Sequence, residues 1–91
     1  MNFEWDPDKA REVLANHGVS FEEIVNLIGR GFLVKTMVNP SKKHRGQKVF
    51  LVRKANSIYM VPFERRHGKY RLITAFYSKY FTQKYFERDG S

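Results

Sequence analysis

The segment Glu64-Arg65-Arg66-His67-Gly68-Lys69-Tyr70-Arg71 places a carboxylate, an imidazole, a phenol and three guanidinium groups within eight residues. These side chains can grip phosphate and move protons. A guanidinium is planar, permanently charged and able to hold two phosphate oxygens at once. Carboxylates, imidazoles and phenols are common carriers of a transferred proton. Arg71 stands out among them, because a strand cation between Tyr70 and Leu72 is costly unless something anionic meets it. The plain reading of the same string is a solvated polar turn. In that reading Glu64 pairs with Arg66 or Arg71 across a hairpin, a contact of about 0–1 kcal/mol when exposed.

The charge around this segment is distributed by position. Residues 1–28 carry two cations against six carboxylates, a net of −4, whereas residues 29–91 carry fifteen cations against three carboxylates, a net of +12. A field of one sign over most of a small chain concentrates anions. Aromatic residues run through the basic part, among them Phe50, Tyr59, Tyr70, Tyr77, Tyr80 and Phe86. Cations hold phosphates and flat rings accept unstacked bases, so the combination suits single-stranded nucleic acid better than a membrane surface.

Composition narrows the classes further. Ninety-one residues allow one small domain with a single core. The 42% hydrophobic and 15% aromatic content is enough to build that core, so the chain is not a disordered basic tail. It has no cysteine, which excludes a disulfide framework and any thiolate metal site. His17, His44 and His67 are scattered without the close spacing of a zinc site, and no metal or other cofactor is expected. No apolar run approaches a membrane span, and Met1-Asn2-Phe3-Glu4 lacks the basic-then-apolar pattern of a signal peptide. The expectation is a cytoplasmic protein.

The elements that must position these groups can be read from local signals. Phe3-Glu4-Trp5 alternates as an edge strand, with Trp5 in the core beside the first helix. Asp6-Pro7 starts that helix as N-cap and first residue, and Ala10, Val13, Leu14 and His17 follow at helical spacing. Gly18 is its left-handed stop, and His17 reads as a structural C-terminal residue. Ser20 with Glu23 forms a capping box for a second helix, Val19 is placed to staple to Ile24, and Gly29-Arg30-Gly31 ends it. Phe32–Val38 then reads as a strand ending at Asn39-Pro40. The loop Lys42-Lys43-His44-Arg45 is basic, solvated and attractive to phosphate. Further strands are expected at Lys48–Arg53, Ile58–Glu64 and Tyr70–Phe76, with turns at Ala55-Asn56-Ser57 and at Arg65–Lys69. Pro62 requires its strand to be at an edge or bulged at that point. Tyr77, Tyr80, Phe81 and Tyr85 form a helical stripe for core or partner contact. The predicted fold is α+β, in the order β-α-α-β-β-β-β-α, with helices beside an antiparallel sheet.

The string Asn2-Phe3-Glu4-Trp5-Asp6-Pro7-Asp8-Lys9, followed by His17-Gly18-Val19-Ser20-Phe21-Glu22-Glu23, resembles the opening of the BrnT family. These are small bacterial toxins of type II toxin–antitoxin pairs with a fold similar to RelE ribonucleases. Asn39-Pro40, Gly46–Phe50, Val61-Pro62-Phe63 and Arg71-Leu72-Ile73-Thr74-Ala75 resemble the sheet of such proteins more loosely. The resemblance implies metal-independent cleavage of messenger RNA and a tightly bound antitoxin in a hetero-oligomer. Cleavage of that kind uses the RNA 2′-hydroxyl as nucleophile. The protein must align the backbone, remove a proton, stabilise the phosphate and protonate the leaving oxygen. On this reading Arg71 and Lys79 converge on one phosphate, and Glu64 or His67 is the base. Arg45, Lys48, Arg65 and Arg66 bind RNA, and Tyr77 or Tyr80 orients or stacks a nucleotide.

At one position the chain departs from that family. Where the family carries an arginine after the last strand's alanine this chain has Phe76, and Lys79 is the nearest cation. Phe76 is the feature that favours a rival reading, a basic nucleic-acid-binding module without catalysis. A second rival is an interaction protein whose basic face seats an acidic partner.

Overall fold

Asp6 starts the first helix as its chemistry demands. Its backbone is extended (φ −78°, ψ 126°), its carboxylate accepts the Asp8 N–H at 2.8 Å, and Pro7 fills a first-turn position where no N–H is needed. The helix α1 spans Pro7–His17 and stops at Gly18, whose φ of 66° is left-handed and whose N–H closes on the Leu14 carbonyl. The second helix, α2, spans Phe21–Gly29, and the Ser20 hydroxyl accepts the Glu23 N–H at 3.0 Å. Only half of the expected reciprocal box forms, because the Glu23 carboxylate pairs with Lys54 Nζ at 3.1 Å. Val19 and Ile24 are fully buried in one cluster, as a staple requires.

The computed structural model describes residues 1–44 and 46–86, which form three helices and a mixed six-stranded sheet, an α+β fold. The strands are β1 (Phe3–Glu4), β2 (Leu33–Val38), β3 (Lys48–Lys54), β4 (Ser57–Arg66), β5 (Lys69–Leu72) and β6 (Phe76–Tyr77). The third helix, α3, spans Lys79–Phe86, and a 3₁₀ turn at Lys42–His44 precedes β3. The sheet order is β1-β5-β4-β3-β2, with β6 pairing β4 farther along the edge that β5 occupies.

The structure corrects four sequence expectations. The sheet is not purely antiparallel, since β1 returns to pair β5 in parallel. The expected strand Tyr70–Phe76 is two strands, because the chain leaves β4 at Leu72 and rejoins it only at Phe76. Tyr77 therefore belongs to β6, opposite Tyr59, and not to the helical stripe. The polar turn is also shorter than Arg65–Lys69. Those two residues and Arg66 lie in strands, and only His67 (φ 51°) and Gly68 (φ 77°) make the two-residue bend. Two successive left-handed residues match the twist of a hairpin.

Pro62 sits in β4 opposite Val49 of β3. Its carbonyl accepts Ile73 N–H at 2.9 Å, so its nitrogen faces the gap between β5 and β6. A missing donor costs nothing there, and β4 is locally an edge as the proline requires.

The two sheet faces are covered unequally. One face buries Phe50, Val52, Val61, Phe63 and Leu72 beneath α1 and α2, with Phe50 and Phe63 stacked at 3.8 Å. Trp5 packs on this side against Phe21 of α2, with centroids 5.5 Å apart. The other face buries Val49, Leu51, Ile58 and Met60 beneath α3, chiefly through Phe81. Ser78 caps α3 by accepting the Phe81 N–H at 3.1 Å, and the Thr82 hydroxyl accepts the Ile58 N–H at 2.8 Å. These bonds pin α3 to the start of β4. The far end of the same face is left bare.

Candidate nucleic-acid interface

The β4–β5 hairpin runs on past the beginning of β3. Lys48, the first residue of β3, lies opposite Phe63, so Glu64, Arg65 and Arg66 have β5 on one side and no β3 strand on the other. The space left beside them is a notch of about 530 Å³ between the hairpin and the segment 43–48. Lys43, His44, Gln47, Lys48, Glu64 and Arg65 line it. A pocket of about 430 Å³ adjoins the notch and shares His44 and Gln47 with it. Its apolar floor is Pro62, Ile73 and Phe76, at the gap where the chain swings away from β4 between Leu72 and Phe76. A shallow depression of about 190 Å³ continues past Lys9 and Ile73 to Arg71, with Asp6 at its side. Shared residues join the depressions into one groove.

Strand register sets the chemistry of the groove. Side chains alternate along β4, so Glu64 points to the same sheet face as Met60 and Pro62, at the end that α3 leaves uncovered. Arg71 is its directly paired residue on β5, and Glu4 is the partner of Arg71 on β1. Directly paired residues hold their Cβ atoms about 5 Å apart. Arg71 Nη1 donates to Glu4 Oε2 at 3.3 Å, both side chains being a little over a quarter exposed. The ion pair anticipated across the hairpin thus forms with Glu4 from the other side, and the Glu64 carboxylate remains exposed in the notch. Arg66 and Lys69 lie directly opposite one another, a like-charge pair that an anion would relieve. Arg65, which also lines the notch, points to the opposite face from Glu64 and stacks over Tyr70 with its guanidinium carbon 4.2 Å from the ring centroid.

The other expected site residues fall elsewhere. His67 is exposed at the hairpin tip and lines neither the notch nor the pocket. Lys79 does not converge with Arg71. The neighbouring Ser78 N–H bonds to the Ile58 carbonyl, whereas Arg71 is paired with Glu64, six residues along β4 and about 20 Å away. Tyr77 and Tyr80 are 46% and 67% exposed at that same remote end, so they are available to a partner but not to the groove. Arg45 lies outside the described residues. His17 ends α1, exposed, with its ring 6.3 Å from that of Phe76.

Phe76 pairs with Met60 and packs beneath α3 while flooring the pocket, so an apolar ring stands where the resemblance expects a guanidinium. The sequence reading missed Lys9, Asn39 and Gln47 as groove residues, and it had His44 only as part of a loop attractive to phosphate. They come from a helix, a strand end and a loop; the β2–β3 pairing and the turn before β3 place Asn39, His44 and Gln47 together, and Lys9 of α1 reaches the same pocket. Among the described residues, no three His, Asp or Glu side chains form a metal-ligating group, and no helix is long and apolar enough to cross a membrane.

No protein-family model matches the chain, and no curated protein matches it either.

Proposed function

We propose that this protein is a cytoplasmic RNA-cleaving toxin of the BrnT kind, a metal-independent endoribonuclease acting on messenger RNA and neutralised by a cognate antitoxin. The observation that carries the reading is the pairing of Glu64 with Arg71 on the bare half of the sheet, beside a groove walled by Lys43, His44, Lys48 and Arg65. The three cations and the imidazole hold the RNA backbone, and the apolar pocket floor tolerates a base. Glu64 takes the proton from the 2′-hydroxyl, whose oxygen attacks the neighbouring phosphorus. Arg71 leaves Glu4 for the phosphate oxygens and stabilises the charge that grows on them. The P–O5′ bond breaks, and His44 across the notch gives a proton to the departing oxygen. The products are a 2′,3′-cyclic phosphate and a 5′-hydroxyl.

The test is incubation of RNA with the purified protein, with and without ribosomes, in EDTA. Cleavage is expected to survive the chelator and to yield cyclic phosphate ends. Cutting of a 2′-deoxy substrate, or activity lost in EDTA and restored by magnesium, would refute the mechanism. One observation favours a second reading, a basic RNA-binding module without catalysis. Phe76 packs against the apolar cluster under α3, and Lys79 lies at the other end of β4 from the Glu64–Arg71 pair. That protein retards RNA and leaves it intact.

A further inference from the structure

The pocket floored by Pro62, Ile73 and Phe76 has a wall whose hydrogen-bonding sense is set by a relay beginning at a backbone amide. Ser41 N–H, which can only donate, bonds to Asn39 Oδ1 at 2.9 Å. That bond fixes the Asn39 amide and turns its Nδ2 outward, where it donates to Gln47 Oε1 at 2.7 Å. The Asn39 N–H also bonds to the Gln47 carbonyl at 2.7 Å, which holds the two residues side by side. With its oxygen thus taken, Gln47 keeps two N–H donors that no acceptor among the described residues occupies, and the side chain lines both pocket and notch. The Ser41 hydroxyl oxygen accepts the Lys43 N–H at 3.3 Å, which leaves its proton to donate. Lys9 adds an ammonium at the other rim, shared with Glu12 at 3.6 Å.

We propose that this pocket seats one unstacked nucleobase of bound RNA and selects keto bases, uracil and guanine, through their carbonyl oxygens. The inference rests on the reading of the groove as an RNA site and adds its base preference. An apolar floor under a donor-bearing wall complements a flat ring with an acceptor edge, while the exocyclic amino groups of cytosine and adenine would meet donors. Charge complementarity places the rest of the chain, with phosphates at Lys43 and Lys48 on one side of the pocket and at Arg71 on the other. Pocket and phosphate sites share walls, so a base in the pocket and its flanking phosphates bind together.

The experiment measures binding of uncleavable 2′-O-methyl hexamers of U and of C by fluorescence anisotropy at low salt. These two pyrimidines match in size and differ at the edge the relay reads. The wild-type protein should bind the U hexamer about tenfold more tightly, the discrimination expected of a well-placed donor pair. Gln47→Leu should reduce that ratio to less than about twofold by removing the donors. Asn39→Asp gives the sharper result. A carboxylate accepts from both Ser41 and Gln47, so the Gln47 amide must turn round and present its oxygen to the pocket. The preference should then reverse toward C even though overall affinity falls with the added negative charge. Thermal melts of both variants verify folding before ratios are compared. A U-to-C ratio near one in the wild type, with binding that still weakens in salt, would overturn the base seat and leave the RNA reading standing. An unchanged ratio in folded Asn39→Asp would overturn the relay. Absence of binding to either hexamer would overturn the RNA reading and the base seat with it.

Discussion

Arg71→Ala separates a catalytic guanidinium from a structural one. Among the described residues Arg71 makes one ion pair, Nη1 to Glu4 Oε2 at 3.3 Å, and both side chains are a little over a quarter exposed. Such a partly solvated pair contributes at most about 1 kcal/mol to folding. One kcal/mol moves the melting temperature of a chain this size by about 4–8 °C, so the variant should fold and melt no more than that below the wild type. Its effect on rate should be far larger. A donor aimed at charge that develops only in the transition state contributes about 3 kcal/mol, or 10²- to 10³-fold in kcat. Ground-state affinity for RNA should change only a few-fold, since Lys43, Lys48 and Arg65 still hold the backbone. The assay is single-turnover cleavage of a labelled RNA under saturating protein, with the dissociation constant measured in parallel on a 2′-deoxy analogue. Glu4→Gln is the control, because it frees Arg71 without removing it, and its cleavage should match or exceed the wild type. If Arg71→Ala cleaves within about twofold of the wild type while folded, the guanidinium serves only the Glu4 pair and the assignment fails. If affinity and rate fall together by the same large factor, Arg71 is a uniform binding contact rather than a transition-state one.

Three further outcomes follow from the structure. Four cations along the groove (Lys43, Lys48, Arg65, Arg71) should give a slope near −3 in log affinity for single-stranded RNA against log salt. A flat dependence in a filter-binding titration would show that this face is not a polyanion surface. Thr82→Val leaves the buried Ile58 N–H without its acceptor and should cost about 1–3 kcal/mol in chemical denaturation, whereas Thr82→Ser should stay close to the wild type. Equal stability of Thr82→Val and the wild type would mean that the clasp between α3 and β4 contributes nothing. His67→Asn should melt at or above the wild-type temperature, because asparagine tolerates the left-handed turn position better, and it should retain cleavage. Loss of cleavage in that variant would restore His67 as the base.

Local chemistry was enough to locate both early helices. The carboxylate and hydroxyl caps, Pro7, Gly18 and the Val19–Ile24 staple act over a few residues, so their signal is complete within the sequence that carries it. The strands β2, β3 and β4 were legible for the same reason, as was the requirement that Pro62 face an unpaired edge. The concentration of cations after residue 28, and with it the attraction to polyanions, is a property of composition and needs no fold. Arg71 and Glu64 stood out as residue types, and the hairpin reading allowed them to pair.

What the sequence could not determine is which groups share a surface. Local periodicity contains no information about where a strand lets go of its neighbour. The break between Leu72 and Phe76 therefore had to be decided by competition between β5, β6 and α3 for the edge and face of β4. That break opens the pocket and commits Phe76 to its floor, while the β2–β3 pairing holds Asn39 and Gln47 at its rim. It also sends Lys79 to the opposite end of β4, so two cations eight residues apart in sequence lie about 20 Å apart along the strand. The parallel return of β1 brings Glu4 to Arg71 across 67 positions of chain, a contact that arises only from the closed sheet. Residue types and their local order set the available chemistry. Long-range strand pairing alone decided which of those residues meet.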